Sequence, residues 1–168
     1  LHPSTKVFNI SYVTFDTGKK VDILSIGKML KERDIFFMVD VTQAFGGMPI
    51  TAEELKYIDV VACSCYKWML GPYGAAFAYF SDDALKKVQH RDANWINSPK
   101  SKVVYNLLDY TVETLAGARK FDRGQAANLM PMHLLEGSVD FLNGIGLDRI
   151  EKHNREVRDY FLSIYPKS

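Results

Sequence analysis

The chain has 168 residues, a net charge of +1, 47% hydrophobic and 24% charged residues, which is the composition of an ordinary globular domain with a real core. No basic stripe calls for a nucleic-acid partner, no apolar run is long enough to span a bilayer, and no signal peptide or lipidation motif is visible, so neither nucleic acid nor membrane is an expected partner. Two cysteines, Cys63 and Cys65, are read as small buried hydrophobes pointing to opposite faces of a strand. They form neither a disulfide nor a metal site, which suits a reducing, cytoplasmic location.

Residues 7–14 are β-rich and read as a strand, and Asp16-Thr17-Gly18 marks a turn. Asp22 is a candidate N-cap for a helix to about Arg33, with Ile23, Ile26 and Leu30 on one face and Gly27 either weakening it or admitting a close neighbour. The apolar run 35–40 predicts a strand buried on both faces, closing a βαβ unit whose default is a parallel pair. A loop with Gly46, Gly47 and Pro49 follows. A short helix then starts at Thr51, which with Glu54 forms a capping box.

Residues 59–63 predict the next strand, residues 66–74 a turn, and residues 75–80 a further strand reached too quickly for a crossover helix, hence antiparallel to its predecessor. Ser81 caps a helix to about Gln89. Residues 90–123, with Trp95, Asn97, Pro99, Tyr105 and Tyr110, read as a long excursion of little regular structure, of the kind that often serves function or subunit contact. The end is helical. One helix from Asn128 carries Leu135, Val139 and Leu142 on one face and is broken by Gly144 and Gly146, and a second spans 147–165 with Leu147, Ile150, Val157 and Phe161.

In open α/β sheets ligands sit beyond the carboxyl ends of the parallel strands. Asp40 lies at one such end, and Ser64, Tyr66 and Lys67 lie just past the next, so neighbouring strands would bring them to one crevice. Singly these residues say little. A strand-end Asp is more often a turn-former, a turn lysine is usually solvated, Ser64 and Tyr66 serve equally as exposed hydroxyls, and Trp68 is read as packing.

Together they form a pattern: Asp-x-x-Gln after one apolar strand, then Ser-x-Tyr-Lys-Trp-x-x-Gly-Pro-x-Gly after the next. This resembles the class V aminotransferase family of pyridoxal 5'-phosphate (PLP) enzymes, the group of cysteine desulfurases, kynureninases, serine–glyoxylate-type transaminases and isopenicillin-epimerase-like proteins. SYVTFDTG at 11–18, RKFDRGQAANL at 119–129 and GIGLDRIEKHNREV at 144–157 are similar to further family segments, so the resemblance covers most of the chain.

The resemblance implies an α/β three-layer sandwich with a mainly parallel sheet and one antiparallel strand. Residues 1–125 would be the second half of a PLP-binding large domain, and 126–168 a helical segment leading to a small domain. It implies that Lys67 forms the Schiff base with PLP and moves the Cα proton, that Asp40 pairs with the pyridinium nitrogen, and that Gln43 hydrogen-bonds the ring's 3′ oxygen. Ser64 and Tyr66 would donate to the phosphate, with Tyr66 where many members have His. Gln125, in a Gly124-Gln125 pair where many have Gly-Thr, would donate through its amide.

Tyr12 also stands where many members have His. The chain starts at Leu1 rather than Met and matches the middle of a larger enzyme, without the family's N-terminal phosphate loop and stacking ring and without its small-domain arginine. The expected activity is that of a transaminase or epimerase-like enzyme on an amino-acid substrate, as a homodimer with residues 90–123 a candidate contact. The alternatives are a cysteine desulfurase or other Cβ lyase of the kynureninase kind, and a fragment or pseudoenzyme that binds no cofactor.

Overall fold

The computed structural model describes residues 1–90, 92–100, 111–123 and 128–165. They form two compact units, one of Leu1–Tyr79 with Leu129–Ser168 and one of Phe80–Asn128.

The first unit is built on a mixed, mainly parallel sheet of β1 (Val7–Ser11), β2 (Phe36–Asp40), β3 (Val60–Ser64) and β4 (Ala76–Phe80), in that spatial order. β1 and β3 both run parallel to β2. Between β1 and β2 lies α1 (Ile23–Lys31), which begins where Asp22 accepts the Ser25 N–H at 3.0 Å, as the sequence predicts. Gly27 admits a close neighbour: a Cβ there would stand 2.7 Å from the Tyr57 Cβ, so α1 lies against the segment leading into β3. α2 (Ala52–Leu55) carries the full capping box of Thr51 and Glu54.

Register divides the sheet into two unlike faces. Phe37, Val39, Val61 and Cys63 face the core, which also takes Ile23 and Leu30 of α1 and Leu142 of α4 (Leu129–Ile145). Leu147 and Ile150 of α5 (Leu147–Ile164) pack against it. The opposite face holds Phe36, Met38 and Asp40 of β2, all half-buried, with Val60 of β3 buried and Ala62 and Ser64 half-buried. The expectation of a strand buried on both faces therefore fails for β2. The described helices of this unit contribute their apolar residues to the other side.

Two further expectations are corrected at the C-terminal end. Gly144 does not break α4, since glycine in a helix costs about 1 kcal/mol without forbidding it; the break is at Gly146, whose φ is 89°. Val157 and Phe161, expected on the core face of the last helix, are 55% and 54% exposed, and the apolar contact of α5 with the core is made by Leu147 and Ile150. No described helix is long and apolar enough to cross a membrane.

In the second unit Ser81 caps α3 (Asp82–Lys87). The described part of the excursion is more ordered than its sequence suggests. Asn97 is fully buried and donates to the carbonyls of Asp92 and Lys120, while Lys120 Nζ donates to the carbonyls of Leu85 and Val88 at the end of α3. Such side-chain bonds to backbone carbonyls stand in for the ladders that the described residues of the segment lack. Tyr105 and Tyr110 lie outside the described residues.

Tyr12, just past β1, is buried and its hydroxyl donates to Glu54 Oε1 at 2.7 Å. Burial, and then the Glu54 carboxylate, hold the phenol well above its ordinary value. Burial pushes the Glu54 carboxyl up, but hydrogen bonds from Thr51 and Tyr12 outweigh it and the net shift is downward from 4.5. Replacing Tyr12 with Phe is expected to lower stability by about 1.5–3 kcal/mol, the range for a hydrogen bond to a charged group. A depressed carboxylate stabilises fully above its unfolded pKa and loses that contribution as pH falls through the folded one. Denaturant unfolding at neutral pH and in acid should therefore show the gap between wild type and Tyr12→Phe narrowing below about pH 4.

Candidate functional site

The polar ends of β2 and β3 lie side by side. Asp40 pairs with Ser11 on one side and Ala62 on the other, and its carbonyl accepts the Tyr12 N–H at 2.8 Å. Ser64, two residues beyond Ala62, lies on the same face of the sheet as Asp40. That face is the one turned away from the core, so a carboxylate and a hydroxyl there avoid the desolvation cost of the interior.

Thr42 links the two strand ends. Its N–H donates to Asp40 Oδ1 at 2.8 Å, and its Oγ1 accepts the Ser64 N–H at 3.0 Å. The sequence reasoning missed this residue, although Asp followed two positions on by a residue with a free N–H is the signal for an Asx turn.

Lys67 follows in the turn after β3. Its Nζ stands 5.4 Å from the Tyr66 ring centroid and 5.8 Å from that of Phe15. Tyr66 is stacked on Tyr73, centroids 4.7 Å apart and planes 17° from parallel. Phe15, in the turn after β1 and 84% exposed, is a second residue the sequence reasoning missed; only its proximity in space marks it. No carboxylate pairs with Lys67 among the described residues, and the second oxygen of Asp40 has no protein donor among them.

The turn that carries Lys67 is held from several sides. Cys65 donates to the Ala75 carbonyl and accepts from Gly71 N–H. Leu70 takes φ 55°, a left-handed conformation that a branched side chain seldom adopts. Its carbonyl accepts Ser138 Oγ of α4 at 2.9 Å. Trp68 lies against Gly46 and Gly47, where any side chain would strike it. Asn154 of α5 donates to the Gly47 carbonyl at 3.2 Å. Both helices thus brace the loops that end β2 and β3.

Gln43 turns into a cleft of about 380 Å³, lined also by Lys20, Ala44, Trp68, Asn154 and Arg155. Of the predicted site residues Gln43 alone lines this cleft, and it stands one short turn from Asp40. Gln125 lies outside the described residues.

The two cysteines are neighbours, which corrects the expectation of opposite faces, because residues two apart in a strand share a face. Burial, then the adjacent Cys65 thiol and Asp40, push the Cys63 thiol up to about 12, and burial raises Cys65 as well. Neither is a ready thiolate.

An open lysine amine, a strand-end carboxylate with a free oxygen, and a neighbouring hydroxyl form a donor set that fits PLP, which needs an amine at its aldehyde, an anion at its ring nitrogen and donors at its phosphate. Lys67, Asp40 and Ser64 carry groups of these three kinds.

Comparison with known proteins gives a match to the family model described as aminotransferase class-V over residues 1–165. A probable cysteine desulfurase of Methanothermobacter thermautotrophicus is 25% identical over 161 residues, covering 93% of this chain and 37% of that protein. An isopenicillin N epimerase of Amycolatopsis lactamdurans is 24% identical over 155 residues, covering 92% and 38%. Among solved structures, a cysteine desulfurase of Thermococcus onnurineus superposes with a TM-score of 0.78 at 21% identity, covering 94% of this chain and 38% of that one. A cysteine desulfurase of Escherichia coli superposes with a TM-score of 0.77 at 18% identity, covering 99% and 40%. These superpositions show the fold. The chain spans 37% and 38% of the length of the two curated relatives. Class V aminotransferases and cysteine desulfurases are PLP-dependent.

Proposed function

Because this chain belongs to the class V aminotransferase family, we propose that it carries one part of the PLP site of an enzyme that acts on an amino acid. The observation that carries the proposal is the placement of Asp40 and Ser64 on one face of adjacent strand ends, both bonded to Thr42, with the unpaired Lys67 amine in the turn that follows. When bound, the cofactor withdraws electrons from the substrate Cα. In this reading Lys67 holds the cofactor and then carries the proton to and from Cα, because a lysine amine is nucleophilic once neutral. Asp40 keeps a proton on the ring nitrogen through its free oxygen. Ser64 and Tyr66 donate to the phosphate, Gln43 to the ring's 3′ oxygen, and Gln125 completes the set.

The reaction proposed is that of a transaminase or epimerase-like enzyme, in a homodimer to which residues 90–123 contribute contacts. A second reading, a cysteine desulfurase or other Cβ lyase, is favoured by the desulfurases among the relatives. It would need a nucleophilic thiol from outside this chain, since Cys63 and Cys65 are buried with raised pKa values.

A panel of amino acids offered to the full-length protein with PLP separates the two. Release of a keto acid, or inversion at Cα, supports the first reading. Release of alanine and sulfur from cysteine supports the second. A full-length protein that binds PLP and turns over none of the panel contradicts both.

A further inference from the structure

Thr42 makes the one side-chain link between the ends of β2 and β3 that the described residues show at this site. Its two bonds do different things. The N–H donated to Asp40 Oδ1 fixes one carboxylate oxygen and leaves the other directed elsewhere. The Oγ1 that accepts Ser64 N–H fixes the backbone of Ser64 across the strand gap. The backbone ladder runs one step further, with Val41 N–H donating to the Ala62 carbonyl at 2.9 Å, and ends there. Beyond it, the direction of the Ser64 side chain depends on where its own N–H is anchored, and that anchor is a hydroxyl from the Asp40 turn.

We infer that Thr42 is a positioning residue for the cofactor site: it sets the direction of the Ser64 hydroxyl toward the phosphate and ties that direction to the placement of Asp40. The inference rests on the cofactor reading above. A valine at position 42 keeps the shape and the N–H to Asp40 but removes the acceptor for Ser64, so the phosphate end of the site loosens while the ring end stays. A serine keeps the acceptor.

The test uses apo full-length protein titrated with PLP and, separately, with pyridoxal, which lacks the phosphate. Dissociation constants are read by fluorescence, and thermal melting of the apo protein serves as the folding control. In Thr42→Val, PLP binding is expected to weaken about tenfold, the equivalent of one lost hydrogen bond at the upper end of its usual net worth. Pyridoxal binding should change less than about twofold, and Thr42→Ser should restore wild-type affinity for PLP.

Equal PLP affinity in wild type and Thr42→Val would overturn the inference. So would equal losses for PLP and pyridoxal, because that is the mark of a merely structural role. A wild-type protein that binds pyridoxal and PLP alike would overturn the assignment of Ser64 to the phosphate, and Thr42's part with it. A wild-type protein that binds neither would overturn the cofactor reading itself, which is a separate failure.

Discussion

Lys67→Ala in the full-length protein is expected to lower the rate of the amino-acid reaction by at least about 10³-fold, because under the proposed function one substitution removes both the group that holds the cofactor and the general base. Lys67→Arg should be nearly as damaging: it keeps the charge, but a guanidinium does not lose its proton and is not a nucleophile. Stability should hardly move in either variant. The contacts of Lys67 Nζ are to the rings of Phe15 and Tyr66, at 5.8 and 5.4 Å, and such exposed contacts are worth about 0.5–1 kcal/mol. Loss of rate with retained melting temperature is therefore the expected signature, read from steady-state kinetics beside thermal unfolding. A Lys67→Ala protein with more than a tenth of wild-type activity would contradict the assigned role.

The second large effect is structural. Gly46 has φ 99°, and a Cβ there would lie 2.3 Å from the Trp68 carbonyl oxygen and 2.4 Å from its carbonyl carbon. Those are backbone atoms, which cannot swing aside as a flexible side chain can. Gly46→Ala combines an unfavourable left-handed conformation, about 1–3 kcal/mol, with an overpacking cost of about 1–3 kcal/mol. The expected loss is about 3 kcal/mol or more. Gly18 supplies the control. Its φ is also positive, 63°, but nothing lies within 4 Å of its Cβ position, so Gly18→Ala should cost only the conformational part, about 1 kcal/mol. Denaturant unfolding of the two variants separates close approach from backbone strain. Equal losses would show that the contact with Trp68 yields. Because Trp68 follows Lys67, Gly46→Ala should also impair cofactor binding, which Gly18→Ala should leave intact.

Much of this chain is legible because its signals are local. Asp22 and Ser81 cap the helices they precede, Thr51 and Glu54 close a capping box, and Asp40 and Ser64 fall at the ends of short apolar strands. Each needs only a few neighbouring residues to be recognised. The pattern from Asp40 to Gly74 added family identity, which the match over residues 1–165 shows.

Other features depend on which surface meets which, and a single sequence does not show that. Phe36 and Met38 are as apolar as Phe37 and Val39, yet only the latter pair faces the helices. Val157 and Phe161 keep helical spacing with Ile150 but are more than half exposed. Thr42 and Phe15 became visible as site residues only when the turn after β2, the end of β3 and the turn after β1 met in space. Tyr12, where the resemblance implies a histidine, donates its hydroxyl to Glu54 across 42 residues of sequence.

The central claim is that Lys67 is the residue that holds the cofactor. Full-length protein loaded with PLP, reduced with borohydride and mapped by peptide mass spectrometry tests it most directly. The account predicts a single covalent adduct on the peptide containing Lys67. An adduct on Lys56 or Lys86 instead, or a loaded protein that yields none, would contradict it.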